Sequence, residues 1–139
     1  MKLYHQNNQA EIYYESELDA LLLKFLPETE DDHHFIEISE FFFNAMKEFN
    51  TTRLIVDARN MGILDYESQL WLSKSFFKQI KGFARGRKII HATLIDPEKL
   101  MSRVSIANVK ERLGEKVEGF DFLEFTDEQE LRKYFLAST

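Results

Sequence analysis

Three carboxylates and one imidazole stand at or near the ends of apolar runs in this 139-residue chain: Asp57, Asp65, His91 and Asp96. Ligands of open α/β sheets bind outside the carboxyl ends of the strands, so these side chains are a candidate ligand pocket able to supply an acid, a base or a metal ligand. A structural explanation competes and is the stronger one. Asp65 and Asp96 suit helix N-caps, and Asp57 suits a strand end that accepts loop N–H bonds. His91 lies inside an apolar strand, where a hydrogen-bonded core histidine is the commoner case.

Nothing else in the sequence predicts catalysis. The spacings HExxH, GxSxG, GxGxxG and the P-loop are absent, and the chain has no cysteine, which excludes disulfides, thiolate catalysis and Cys-ligated metals. His33 and His34 stand beside Asp31 and Asp32, but adjacent helical residues point about 100° apart and converge poorly on one ion. We therefore expect a non-enzymatic protein with no cofactor and no metal site.

A basic run is the more informative feature. No acidic residue occurs between positions 74 and 88, although the whole chain has a net charge of −6 and its first 50 residues carry eleven acidic and three basic residues. The run contains Lys74, Lys78, Lys81, Arg85, Arg87 and Lys88. Helical projection at about 100° per residue places Trp71 on the same flank as Lys74 and Lys78, where an indole can hold a cation or anchor a partner. Either this flank is an interaction surface, or it is the solvated side of a helix.

Several partners fit a basic flank. A pI near 5.3 opposes nucleic acid, and an anionic lipid headgroup is a weak candidate without a lipidation signal. Self-association is favoured, with the acidic first half of one subunit facing the basic flank of another in a homodimer. Ile36 and Phe43 lie outside the main apolar stripe of their helix; they either pack under the first hairpin, which we favour, or belong to a dimer or apolar-ligand surface.

The periodicity of apolar residues predicts one α/β domain over residues 1–139, because no linker or repeat divides the chain. The predicted order is β-β-α-β-α-β-α-β-α, in a mixed, mostly parallel sheet flanked by helices. The elements are strands at Ile12–Tyr14 and Leu18–Leu26, a helix at Asp32–Phe49, a strand at Leu54–Val56, a helix from Asp65 to about Ile80, a strand at Lys88–Ile95, a helix from Asp96, a strand at Phe120–Phe125 and a last helix after a capping box at Thr126–Gln129. The amino terminus has no signal-peptide pattern and no apolar run reaches the roughly 20 residues of a membrane span, so we expect a soluble cytoplasmic protein without membrane insertion.

Four segments, taken in this order, resemble the small stand-alone bacterial STAS-like proteins of the anti-sigma-factor-antagonist fold: Leu54–Arg59, Tyr66–Leu72, Lys88–Ile90 and Phe125–Leu131. The resemblance implies a mixed sheet flanked by helices and a regulatory role through protein–protein association. Because the broader structural superfamily includes lipid carriers, it also implies an alternative, the binding of a small apolar or lipid ligand.

Signalling members of that family are phosphorylated on a serine that directly follows an aspartate at a helix start. The corresponding residues here are Asp65-Tyr66-Glu67-Ser68, so a tyrosine takes the place of the serine. Ser68 is the nearest serine hydroxyl. A phosphorylation switch on Ser68 or Tyr66 is therefore an alternative function rather than the expected one.

Overall fold

The computed structural model of the protein describes residues 1–26, 32–99, 104, 106–109, 111 and 119–138. The elements, in chain order, are β1 (Lys2–Gln6), β2 (Ala10–Glu15), β3 (Ala20–Phe25), α1 (Asp32–Phe49), β4 (Arg53–Asp57), α2 (Tyr66–Trp71), a π-helical turn (Leu72–Phe76), α3 (Phe77–Ala84), β5 (Ile89–Leu94), β6 (Phe120–Phe125) and α4 (Glu128–Ala137). Residues 104, 106–109 and 111, between β5 and β6, are also helical. No helix within these ranges has the length and apolar character needed to cross a membrane.

The six strands form one sheet in which each strand pairs with its neighbours in sequence, in the order β1-β2-β3-β4-β5-β6. The first two pairs are antiparallel and the other three are parallel, so the sheet is mixed and the prediction of a mostly parallel sheet was wrong. The source of the error is β1, which was not predicted. Three of its five residues are exposed, one of them the apolar Leu3, as expected for an edge strand, and they give no apolar alternation to detect. The specific STAS-like order of elements is not confirmed.

Two apolar clusters lie on opposite faces of the sheet. Right-handed crossovers between adjacent parallel strands place every crossover helix on the same side. The larger cluster accordingly joins the sheet to α1, the π turn, α3 and Val109, and we call this side the helical face. The smaller cluster joins the other side of the sheet to Leu131 and Phe135 of α4, and we call it the α4 face.

The helix predicted from Asp65 to Ile80 is present but is divided by the π turn. Asp65 caps it as predicted, since its side chain accepts a hydrogen bond from the Ser68 N–H at 2.8 Å. Within the turn the Phe77 N–H donates to the Leu72 carbonyl, five residues earlier. This inserted turn changes the phase of the helix, so side chains after it do not lie where a continuous α-helix would place them.

Two helix starts differ in detail from the predictions. The cap of α4 is Asp127, whose carboxylate accepts from the Gln129 N–H at 2.9 Å, rather than Thr126. Asp96 accepts from the Glu98 N–H at 3.0 Å in a turn, and most of the helix predicted to follow it lies outside the described residues.

Candidate functional site

The structure does not bring the four predicted pocket residues together. In the parallel pair β4 and β5, His91 lies beside Leu54 and Asp57 lies beside Leu94. The His91 ring packs on the helical face, 5.5 Å from the ring centroids of both Phe77 and Phe122. Asp57 borders a groove on the α4 face. Successive residues of a strand point to opposite faces of the sheet. Asp57 and His91 therefore lie on different faces, although their strands are neighbours.

The three carboxylates of that prediction have structural roles. The Asp57 carboxylate accepts from the Arg59 Nε and Nη2 at 3.0 and 2.8 Å, and this bond raises the pKa of Arg59. Asp65 and Asp96 accept backbone N–H bonds, as described above. The strand order also runs through the described sheet without reversing, so the sheet lacks the switch point at which open α/β sheets bind ligands.

An apolar cavity of about 80 Å³ lies instead between the sheet and the helices, within the helical face. Strands β3 to β6, helix α1, the loop after β4, the π turn and α3 all contribute to its wall. Six phenyl rings dominate that wall: Phe25, Phe35, Phe42, Phe76, Phe77 and Phe122. Met61 and Leu64 reach it from the loop after β4, and both are almost fully buried. The cavity is therefore a candidate site for a small apolar molecule.

Three polar side chains interrupt this apolar wall: Ser39, His91 and Thr93. His91 and Thr93 are two residues apart on β5 and so point to the same face. Ser39 lies opposite them on α1 and is 3% exposed. No carboxylate, lysine or arginine is among the described side chains that line the cavity. The wall thus offers hydrogen-bonding groups to a ligand.

A molecule that fills the cavity would gain dispersion contacts with the surrounding rings.

A groove of about 170 Å³ lies on the α4 face. Unlike the cavity of the helical face, it is lined partly by charged side chains. Its buried carboxylates are already paired. Glu15 is 2.6 Å from the Arg132 guanidinium, and Asp57 is 2.8 Å from that of Arg59. Among the described residues no group of three or more metal-binding side chains is found here or elsewhere. Asp31 and the side chains of Asp32 and His33 lie outside the described part of the chain.

The residues of the predicted interaction surface fall into two sets. Lys74 and Lys78 are exposed, whereas Trp71 is half-buried and stacks on Phe76 at 5.3 Å between ring centroids. The π turn explains this contact, because its i→i+5 geometry brings residues five apart onto one side. The placement of Trp71 on the lysine flank assumed a continuous α-helix, and that assumption was wrong.

Ile36 and Phe43 are half-buried and pack against the larger cluster. The Phe43 ring meets the Phe83 ring of α3 edge-on at 6.4 Å. The strands β1 and β2 contact α1 through other rings, for example in the stack of Tyr14 on Phe49 at 4.7 Å. Phe43 thus joins α1 to α3, and the favoured prediction that it packs under the first hairpin was wrong.

The predicted phosphorylation residues differ in accessibility. Ser68 is 1% exposed, and its hydroxyl oxygen has no hydrogen-bond partner among the described residues. Tyr66 is 61% exposed. In the folded protein the Ser68 hydroxyl is therefore not presented to a kinase.

Sequence reasoning missed the residues that form the cavity. One signal was available, since Ser39 lies four residues after Phe35 and three before Phe42 on the apolar stripe of α1. A small polar residue at such a position leaves space between larger neighbours. The other walls come from segments distant in sequence, and no local pattern marks them.

In comparisons with family models, with curated proteins and with solved structures, no match to this chain was found. The resemblance to STAS-like proteins therefore stays a prediction that rests on the four short segments described above.

Proposed function

We propose that this protein is a non-catalytic binding protein that holds a small apolar molecule in the cavity of the helical face. The single observation that carries the proposal is the cavity of about 80 Å³ among six phenyl rings in the core of the helical face. Protein interiors are normally packed with few voids larger than a water molecule. A cavity lined by side chains from four strands and several helical segments is consistent with a space reserved for a ligand.

The chemistry of the wall narrows the ligand. Apolar cavities stay dry and take up molecules such as benzene, and an engineered cavity of about 150 Å³ accepts it. The cavity here is about half that size, so the ligand is small or displaces a flexible wall residue. Met61 is the most adaptable wall residue, because methionine is unbranched and changes rotamer readily. Thr93 and Ser39 can hydrogen-bond one polar group of the ligand.

The proposed role needs no catalytic group. His91 packs between the rings of Phe77 and Phe122. Binding, storage or sensing of the ligand requires only the shape and the apolar surface of the cavity.

The experiment compares the protein with a variant whose cavity is filled. Ser39→Leu adds an apolar side chain directed into the void, and Glu40→Leu adds the same side chain at the exposed neighbouring position. We expect benzene to raise the melting temperature of the parent and of E40L by a few degrees, because it binds only the folded state. S39L should be at least as stable as the parent and should not respond to benzene.

If benzene leaves the melting temperature of the parent unchanged and S39L is more stable than the parent, the void is a packing defect and the proposal is wrong. Native mass spectrometry of protein taken directly from cells then gives the mass of any retained ligand.

Association with another protein is a second candidate function, favoured by the exposed lysines of the π turn and α3. The regulatory role and the homodimer predicted from the sequence belong with this candidate. Sedimentation of the parent measures the homodimer directly.

A further inference from the structure

Four exposed cationic side chains follow one another along the π turn, α3 and the residue that ends α3: Lys74, Lys78, Lys81 and Arg85. We call them the basic stripe. Lys78 and Lys81 are three residues apart within α3 and therefore lie on one side of it. Lys74 precedes them in the π turn, and Arg85 follows them in the left-handed conformation that ends α3.

The basic stripe has no acidic partner within the described part of the chain. The ion pairs that do form among described residues involve other cations, including Arg59, Lys88, Arg132 and Lys133. Like charges four residues apart on a helix destabilise it slightly. A protein with a net charge of −6 thus keeps four adjacent cations unneutralised on one helix.

The helix that carries most of the stripe packs against the core on its opposite side. Phe76, Phe77, Ile80 and Ala84 are each at most 6% exposed and belong to the larger cluster. Two further cations extend the positive surface on the α1 side, where Lys47 lies 4.9 Å from the Phe43 ring and Arg87 lies 5.2 Å from the Phe83 ring. A partner therefore meets cations carried by a helix that is packed against the core rather than by a loop.

We infer that the basic stripe docks an acidic segment of a partner protein. Charge complementarity selects an anionic partner, and four cations carried by one short stretch of chain suit a short acidic segment. The negative net charge of the whole chain repels large polyanions at long range, which disfavours nucleic acids and anionic membranes.

A second copy of the chain fits less well. A two-fold contact through the stripe would place like charges against each other. The acidic surface of the first half is also partly occupied, because Glu15 and Glu17 both pair with Arg132. The inference concerns a surface on the outside of the molecule and is independent of the cavity.

The test measures the binding of a fluorescein-labelled helical peptide of about 15 residues, with glutamates at spacings of four, three and four, to the full chain by anisotropy. Lys74→Glu with Lys78→Glu reverses half of the stripe. Lys2→Glu with Lys133→Glu is the matched control, because it changes the net charge by the same amount at two exposed lysines elsewhere. We expect K74E/K78E to weaken peptide binding about tenfold or more relative to K2E/K133E.

A second pair, Lys78→Glu with Lys81→Glu, should behave like the first, and circular dichroism establishes that each variant is folded. An equal loss of binding in K2E/K133E would show an effect of net charge alone and overturn the inference. So would binding to phosphatidylserine vesicles or single-stranded DNA without binding to the peptide. A parent dimer that K74E/K78E dissociates in sedimentation would assign the stripe to self-association instead.

Discussion

Helix α1, the π turn, α3 and the helical residues 106–109 pack on one face of the sheet, whereas α4 packs on the other. The helical face holds an apolar cavity bordered by six phenyl rings. The α4 face has a groove whose buried carboxylates are each joined to an arginine. Polar groups near the α4 face are also hydrogen-bonded at one end of the sheet. There the Arg53 guanidinium donates to the carbonyls of Leu18 and Phe135.

The difference shows where a ligand can be accommodated. On the α4 face the polar groups already have partners, and a ligand would have to displace an ion pair. On the helical face the described lining has no carboxylate, lysine or arginine, and a ligand adds contacts with apolar side chains. The larger groove is therefore the poorer candidate site, because chemical complementarity decides binding more than volume does.

The largest expected effect comes from removing one buried ring on each face. Phe42 borders the cavity and Phe135 lies in the α4 cluster, and both are at most 1% exposed. We expect Phe42→Ala and Phe135→Ala each to lower the free energy of unfolding by about 3–5 kcal/mol, as measured by urea denaturation. Benzene should restore stability to F42A, whose cavity is enlarged, more than to F135A. Equal rescue of both variants would contradict the contrast between the faces.

A smaller effect is expected from breaking the ion pairs of the α4 face. Arg132→Ala leaves the Glu15 carboxylate, which is 10% exposed, without its arginine. We expect a loss of about 1–3 kcal/mol in the free energy of unfolding, because a buried charge without a partner is penalised. Lys133→Ala removes an exposed pair on the same helix and should change stability by less than about 0.5 kcal/mol. Indistinguishable stabilities would show that the groove is held by apolar contacts alone.

The smallest effect concerns pH and the helical face. The Tyr14 hydroxyl donates to Asp19 at 2.6 Å, and this bond raises the pKa of Tyr14 above 10.0. The bond contributes stability that is present below the unfolded-state pKa and is lost as the pH rises through the higher folded-state pKa. Thermal melts between pH 8 and 11 should therefore show a steeper loss of stability for the parent than for Tyr14→Phe. Parallel curves would indicate that this bond contributes nothing to folding.

The fold was predictable where one apolar pattern determines one element. The stripe of Phe35, Ile38 and Phe42 predicted α1 with its observed bounds, Asp32–Phe49, and the Asp65 cap was also confirmed. The polar edge strand β1 and the π turn gave no such pattern. The π turn buries both Leu72 and Phe76, and the apolar periodicity of a continuous α-helix does not distinguish it.

The candidate site was less predictable than the fold. The cavity is the space left between side chains that are distant in the sequence. Its wall includes Phe25, Phe76 and Phe122, and the first and last of these are about a hundred positions apart. Residue types that could act in catalysis led the sequence prediction to Asp57 and Asp96, whose carboxylates accept local hydrogen bonds. Only Ser39, a small residue on a stripe of large ones, gave a local indication of the void.

The sequential order of the strands has a consequence for folding. Each strand pairs with the strand before it, so every pairing closes a short turn or one helical crossover, and a late strand never inserts between earlier ones. The two hairpin closures are short, and the entropic cost of the longer crossovers grows only slowly with their length. The strands can therefore pair in the order in which they are synthesised, from β1 to β6, each new strand adding to the edge formed by the strand before it.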